Sequence, residues 1–169
     1  MLLIAVDASQ AFDRMVKERL FEKMGALGIP DIAVRWMRAF LTDRRARVRV
    51  GAAVSSFHSM EEGCPQGTIS GPVAWDIFVD DVVAAVGAAG GEVSLYADDI
   101  AICIRGKRVA DLYRRGQKAM DGIHRWAQEN GVRVSMKKTT TTLLSPQGAA
   151  PKVARHLQYG GQKVKHEKP

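Results

Sequence analysis

The tetrapeptide Tyr96-Ala97-Asp98-Asp99 constrains this chain more than any other stretch. Apolar runs flank it, Val93-Ser94-Leu95 before and Ile100-Ala101-Ile102-Cys103-Ile104 after, both rich in β-branched residues. The pattern predicts the two strands of a hairpin with the acids at or near its turn. Two carboxylates at one tight turn repel each other unless something cancels the charge. A divalent cation is the usual remedy. A solvated acidic turn is the alternative, because turns favour Asp. What separates the two readings is a third carboxylate brought alongside.

At 169 residues the chain predicts one domain with an irregular tail. Hydrophobic residues make up 46% of it, enough for a core, which argues against global disorder. The formal charge of +7 favours a polyanionic partner, nucleic acid or an acidic membrane surface. Cys64 and Cys103 are the only cysteines and form neither a metal-ligand cluster nor a disulfide framework, which fits a reducing, intracellular setting. No apolar run approaches the about 18 residues needed to span a bilayer. Met1 to Val6 lacks a basic leader and is interrupted by Asp7, so it is not read as a signal peptide. It reads instead as a buried strand with no preamble, and the chain is therefore expected to be a fragment.

In order, Leu2 to Val6 predicts a strand covered on both faces, with Asp7 at its end. Ser9 is a candidate cap. A helix is expected over 14–25, with Met15, Leu20, Phe21 and Met24 inward and Lys17, Glu18, Glu22 and Lys23 outward. Pro30 opens a second helix over 31–41, with Ile32, Trp36, Ala39 and Phe40 as its apolar stripe. Ala46 to Val50 alternates in period two, and Val54 to Met60 can pair back as a hairpin. Arg44, Arg45, Arg47 and Arg49 form the densest positive patch, readable as a protected edge strand or as a phosphate-contacting surface. Glu61 to Pro72 is a Gly/Pro-rich loop that must approach something closely. One helix is expected over 70–89, with Asp80-Asp81 in its middle as a structural or solvent-facing pair. The acidic hairpin follows, then an amphipathic helix over 109–130 closed by Asn130-Gly131. Strands are expected over 132–136 and 140–144. Residues 145–151 read as a loop or linker, and 152–169 show no clear element.

Strands and helices in this order predict an α+β domain, an antiparallel sheet with helices packed on one face. If the first strand lies beside the acidic hairpin, Asp7 meets Asp98 and Asp99. Three carboxylates in one small volume suit two Mg²⁺ ions, since hard cations prefer oxygen ligands.

Four stretches now carry a family resemblance. Ala5-Val6-Asp7-Ala8-Ser9-Gln10-Ala11-Phe12-Asp13 resembles the first catalytic motif of reverse transcriptases. Gly63-Cys64-Pro65-Gln66-Gly67, continued by Ser70-Gly71-Pro72, resembles the loop and helix start that lie against the templating base and incoming nucleotide. Tyr96-Ala97-Asp98-Asp99 matches the signature tetrapeptide, and Gly131 to Thr139 resembles the fourth palm motif. The chain is thus similar to the palm of a reverse transcriptase, most of all those of non-LTR retrotransposons, over about residues 1 to 145.

The resemblance implies a polymerase palm with a ferredoxin-like core, fingers and thumb absent. It implies an RNA-directed DNA polymerase joining a dNTP to a DNA primer 3′-OH on an RNA template. Asp7, Asp98 and Asp99, with the carbonyl of Ala8, would hold two Mg²⁺ ions, for which Mn²⁺ can substitute. Phe12 would pack on the sugar and exclude a 2′-hydroxyl, where a core aromatic is the plainer reading. Gln66 and Gly67 would touch the nucleotide or template. Lys138, or Lys137, would sit near the pyrophosphate, or else be a solvated lysine. Tyr96 would lie under the primer end, or be a strand aromatic. Asp13 reads as a helix N-terminal acid.

Ser135 stands where relatives usually carry Asn. Fingers before Asp7 and a thumb after Pro169 would be segments of a parent protein. No membrane partner is implied, and the nucleus is the expected compartment for a eukaryotic retroelement. The alternative is a non-catalytic nucleic-acid-binding remnant of a degenerate element.

Overall fold

A computed structural model describes residues 1–9, 12–87, 89–144 and 156–167. In chain order the elements are β1 (Leu2–Ser9), α1 (Lys17–Ala26), α2 (Asp31–Leu41), β2 (Arg45–Ala46), β3 (Arg49–Val50), β4 (Ala53–Val54) and β5 (His58–Ser59). Then come α3 (Ser70–Val79), α4 (Val82–Gly87), β6 (Glu92–Tyr96), β7 (Asp99–Ile104), α5 (Val109–Asn130), β8 (Arg133–Val134) and β9 (Thr140–Leu143). The short strands β10 (Gln158–Tyr159), β11 (Gln162–Lys163) and β12 (Lys165–Glu167) close the described chain. The chain divides into two compact units, residues 1–10 with 79–169 and residues 11–78.

The first unit is built on a six-stranded sheet ordered β12-β9-β1-β7-β6, with β8 paired to the end of β1. All its pairings are antiparallel except β12 on β9. Burial alternates along the strands, because successive side chains point to opposite faces. Leu2, Ile4, Val6 and Ala8 of β1 and Ile100, Ile102 and Ile104 of β7 are all buried, on the face that α5 covers. Leu3, Ala5, Asp7 and Ser9 lie on the other face, half-buried or exposed. The strand expected to be covered on both sides is therefore open on one, and it runs on through Asp7 to Ser9, which caps no helix.

Helix α5 has the bounds read from sequence, and Gly131 closes it in the left-handed conformation at φ 69°. Its buried face includes Leu112, Ala119, Ile123, Trp126 and Ala127. Gly122 is a position that periodicity does not reveal: a Cβ there would collide with the Ala85 carbonyl oxygen, so α4 and α5 meet through bare backbone. The helix expected over 70–89 is broken at Asp80-Asp81. Asp81 accepts a hydrogen bond from Trp126 Nε1 at 2.6 Å, which ties the break to α5.

The tail is also ordered further than expected. Leu157 and Val164 are each 1% exposed, and the Gln117 carboxamide bonds the main chain of Gln158 in both directions. β12 then adds to β9, with the Thr141 hydroxyl donating to the Lys165 carbonyl. The linker expected over 145–151 lies outside the described residues.

In the second unit α1 starts three residues later than expected. The carbonyls of Phe12 and Met15 accept the amides of Cys64 (2.7 Å) and Gly63 (3.1 Å), which holds this segment out of the helix. Lys17, expected outside, is buried and donates to the Met60 carbonyl at 3.3 Å. Burial pushes its ammonium pKa down, and the nearby Arg44 adds to the effect.

Helix α2 keeps its expected bounds but buries Met37 and Leu41. Ile32 and Trp36 are exposed, with Trp36 stacked on Phe40. The helix carries apolar residues on two faces, and packing against α1 selects the other one. The expected hairpin is two short ladders, β2 with β5 and β3 with β4, all exposed.

Candidate active site

Strand register places the acids. Asp7 on β1 pairs directly with Asp99 on β7, and Asp99 pairs in turn with Tyr96 on β6. Directly paired residues of antiparallel strands project from the same face. Asp7, Asp99 and Tyr96 therefore form a row across three strands on the open face. The link from β6 to β7 is the two residues Ala97-Asp98, with Ala97 at φ 50°. The Asp98 carbonyl accepts the amide of Ala8 at 3.3 Å, so the hairpin turn is fastened to β1 by main chain. Asp98 itself is half-buried at this turn. Ala8, 1% exposed, sits in β1 beside it.

Asp7 is the best-anchored residue of the site. Its amide faces Thr139 Oγ1 at 3.4 Å, its carbonyl accepts the Ser135 amide at 2.9 Å, and its Oδ2 accepts Lys138 Nζ at 3.1 Å. The Asp7 side chain is 15% exposed and that of Lys138 is 72% exposed. The turn carrying Lys138 closes on the Ser135 carbonyl, which accepts the amides of Lys138 and Thr139. These are main-chain bonds, so Ser at 135 serves them as well as Asn would. The buried Thr139 and the role of Ser135 escape sequence reading, because no local pattern sets β8 and its turn against β1.

A cleft of 360 Å³ on this unit is lined by Ala5, Val6, Asp7, Asp99, Ile100, Ala101 and Lys138. It brings together Asp7, Asp99 and Lys138; Asp98 stands outside its lining. Among the described residues no group of three His, Cys, Asp or Glu side chains is set to hold a metal ion, where the sequence leads one to expect three carboxylates. The donors present still fit a divalent cation. Asp7 Oδ1 is buried and has no hydrogen-bond partner among the described residues, a costly state for a carboxylate oxygen. Mg²⁺ is commonly held by one or two carboxylates, completed by water and substrate phosphate oxygens.

The remaining expected residues lie in the second unit. Phe12 is half-buried with its ring against Trp75, centroids 5.5 Å apart. Gln66 is exposed and donates from Nε2 to Asp13 Oδ1 at 2.8 Å. Gly67 is exposed at φ 79°. Gly63, at φ 76°, leaves no room for a side chain: a Cβ would lie 2.5 Å from the Asp13 carbonyl oxygen. Burial pushes the neighbouring Cys64 thiol pKa up, against the pull of Arg44.

The arginine patch divides. Arg44 is committed to main-chain carbonyls, Leu41 at 3.2 Å, Glu62 at 2.8 Å and Gly63 at 2.6 Å. Arg47 lies over the Phe57 ring at 4.9 Å, and Arg49 donates to the Gly51 carbonyl. Arg45, Arg47 and Arg49 are exposed.

A largely antiparallel sheet with one face under α5, and an acidic row on the open one, is the architecture of a palm-type sheet. The family model described as "Reverse transcriptase (RNA-dependent DNA polymerase)" matches residues 1–165, and the chain belongs to that family. Its curated relatives come from non-LTR retrotransposons. The 115 kDa protein in the type-1 retrotransposable element R1DM of Drosophila melanogaster is 32% identical over 139 residues, covering 82% of this chain and 13% of that protein. The RNA-directed DNA polymerase from mobile element jockey of the same fly is 28% identical over 167 residues, covering 95% of this chain and 18% of that protein. The chain thus spans less than a fifth of either relative. Among solved structures, apo telomerase from Candida tropicalis, truncated from its C-terminal domain, matches with a TM-score of 0.68 at 14% identity. That match covers 97% of this chain and 34% of the telomerase chain, and speaks for the fold alone. No helix among the described residues is long and apolar enough to cross a membrane.

Proposed function

We propose that this chain supplies the catalytic sheet of an RNA-directed DNA polymerase, joining dNTPs to a DNA primer 3′-OH on an RNA template. One observation carries the reading: Asp7 and Asp99 are paired in register on the open face, with Asp7 Oδ1 buried and unpartnered among the described residues. Asp7, Asp99 and Asp98, with the Ala8 carbonyl, would hold the cations. When bound, two Mg²⁺ ions neutralise the charge on the attacking and leaving oxygens of an in-line displacement. Lys138 Nζ is the group that can give a proton to the departing pyrophosphate. Tyr96, 81% exposed in the same row, offers an apolar surface to the primer end.

In the second unit, Phe12 would limit the sugar to a deoxyribose, and Gln66 and Gly67 would touch nucleotide or template. Arg45, Arg47 and Arg49 are the patch residues left facing solvent for phosphate, with Arg44 as their internal brace. Fingers and thumb would come from other segments of a parent protein. The site of action is inside the cell, in the nucleus for a eukaryotic element.

A Mn²⁺ titration of the chain, read by electron paramagnetic resonance, tests this directly. Asp7→Asn is expected to weaken binding about tenfold or more, as losing a charged ligand from a small oxygen set should; Asp98→Asn is the companion variant. Primer extension by this chain alone is expected to be slow, because positioning supplies much of phosphoryl-transfer catalysis. The lack of a ready three-residue ligand set among the described residues favours a second reading, a nucleic-acid-binding remnant without catalysis. Primer–template binding with Mn²⁺ affinity indifferent to Asp7 and Asp98 would establish the remnant and overturn the polymerase.

A further inference from the structure

Gln66 and Asp13 are 53 residues apart, yet their side chains meet at 2.8 Å on the surface of the second unit. Main chain sets up the meeting. Cys64 and Gly63 bond the carbonyls of Phe12 and Met15, and Gly63 is pressed against the Asp13 carbonyl where no Cβ fits. On the far side of the loop, the Thr68 hydroxyl donates to the Pro65 carbonyl at 2.8 Å and accepts the Gly71 amide at 3.2 Å. Gln66 is thus an exposed side chain on a braced backbone, and rotation about its own bonds is the freedom left to it.

We propose that Asp13 is a positioning residue: it holds the Gln66 carboxamide in one orientation for contact with nucleic acid. This rests on the reading of Gln66 as a substrate contact. The orientation follows from chemistry. A carboxylate offers only acceptors, so the amide NH₂ must face Asp13, which turns the carbonyl oxygen Oε1 away. Oε1 requires a donor. Phosphate oxygens accept only, so they do not satisfy it. A sugar hydroxyl or the amino group of a base edge does. The pair therefore selects a hydrogen-bond donor of the nucleic acid, and fixing Gln66 beforehand removes the cost of ordering it on binding.

The test uses the full chain, Mg²⁺, and a fluorescent DNA primer annealed to an RNA template, with binding read by anisotropy. Gln66→Ala is expected to weaken binding about five- to tenfold, the range of one neutral hydrogen bond. Asp13→Leu should match it. Asp13→Asn should fall between, since its carboxamide still accepts from Nε2 but also admits the flipped amide. The double variant Asp13→Leu/Gln66→Ala should bind no more weakly than Gln66→Ala alone. A merely structural Asp13 would instead lower the melting temperature and add its loss to that of Gln66→Ala. Replacing the RNA template by DNA identifies the donor: a smaller Asp13→Leu effect assigns it to the 2′-hydroxyl, and an equal effect to a base edge. Gln66→Ala binding like wild type defeats the substrate-contact reading and this inference with it. Gln66→Ala weak with Asp13→Leu like wild type, or additive losses, overturns the Asp13 role alone.

Discussion

The two units hold their candidate site residues by different means. In the sheet unit, Asp7, Asp99 and Tyr96 are aligned by strand register, and Lys138 by a turn that closes on main-chain carbonyls. In the other unit, Phe12 and Gln66 are placed by a loop that depends on glycines, a tilted ring pair and one side-chain hydrogen bond. Register is cooperative: slipping it by one residue turns a whole strand over, so a single substitution seldom shifts it. A loop held by close approach has no such redundancy. Single changes should therefore disturb the loop unit more sharply than the sheet unit.

The largest expected effect tests this contrast directly. Gly63→Ala puts a methyl group 2.5 Å from the Asp13 carbonyl oxygen at a left-handed φ of 76°, and the three nearest atoms, from Asp13 and Phe12, are all backbone, which cannot step aside. A loss of about 4 kcal/mol is expected. Hydrogen exchange should show α1 amides losing protection while β1 and β7 keep theirs, and equal loss in both would break the contrast. Next comes Ile102→Ala, a fully buried position in the middle of the sheet. It should cost about 3 kcal/mol through lost burial and a cavity, yet leave the register and Mn²⁺ binding in place. Loss of Mn²⁺ binding in the folded variant would show that the sheet is no more tolerant than the loop.

The smallest effect has the opposite sign. Lys17 is buried with its pKa lowered from the usual 10.5, so Lys17→Met should raise stability by about 1 kcal/mol at neutral pH. Between the lowered folded value and the unfolded one, the unfolded chain binds more protons, so stability should rise with pH across that alkaline window. Urea melts at stepped pH should show this rise in the wild type and a flatter profile in Lys17→Met.

Elements bounded by their own residues were legible in the sequence. Pro30 and Asn130-Gly131 punctuate α2 and α5, and both helices have the limits read from pattern. Elements limited by distant partners were not. α1 starts late because a loop some 50 residues on takes the carbonyls before it. α3 and α4 part where Trp126 binds Asp81. The Ile32–Trp36 face of α2 faces outward against its pattern, because amphipathic pattern names the faces a helix could bury, whereas its packing partner chooses one. The tail strands β10 to β12 were invisible for the same reason: two- and three-residue strands carry no periodic signal, and they form only where α5 and β9 receive them.

The sequence by itself determined the family, the hairpin of Tyr96 to Asp99, and the identities of the acids, because these rest on local pattern and contiguous motifs. Tertiary structure alone decided that Asp99, rather than Asp98, faces Asp7 across the strands. It decided that one face of β1 stays open, that Lys138 pairs with Asp7, and that Asp13 meets Gln66. The three pairings join residues at least 50 positions apart, and the open face depends on what packs against β1; only the packed chain sets either.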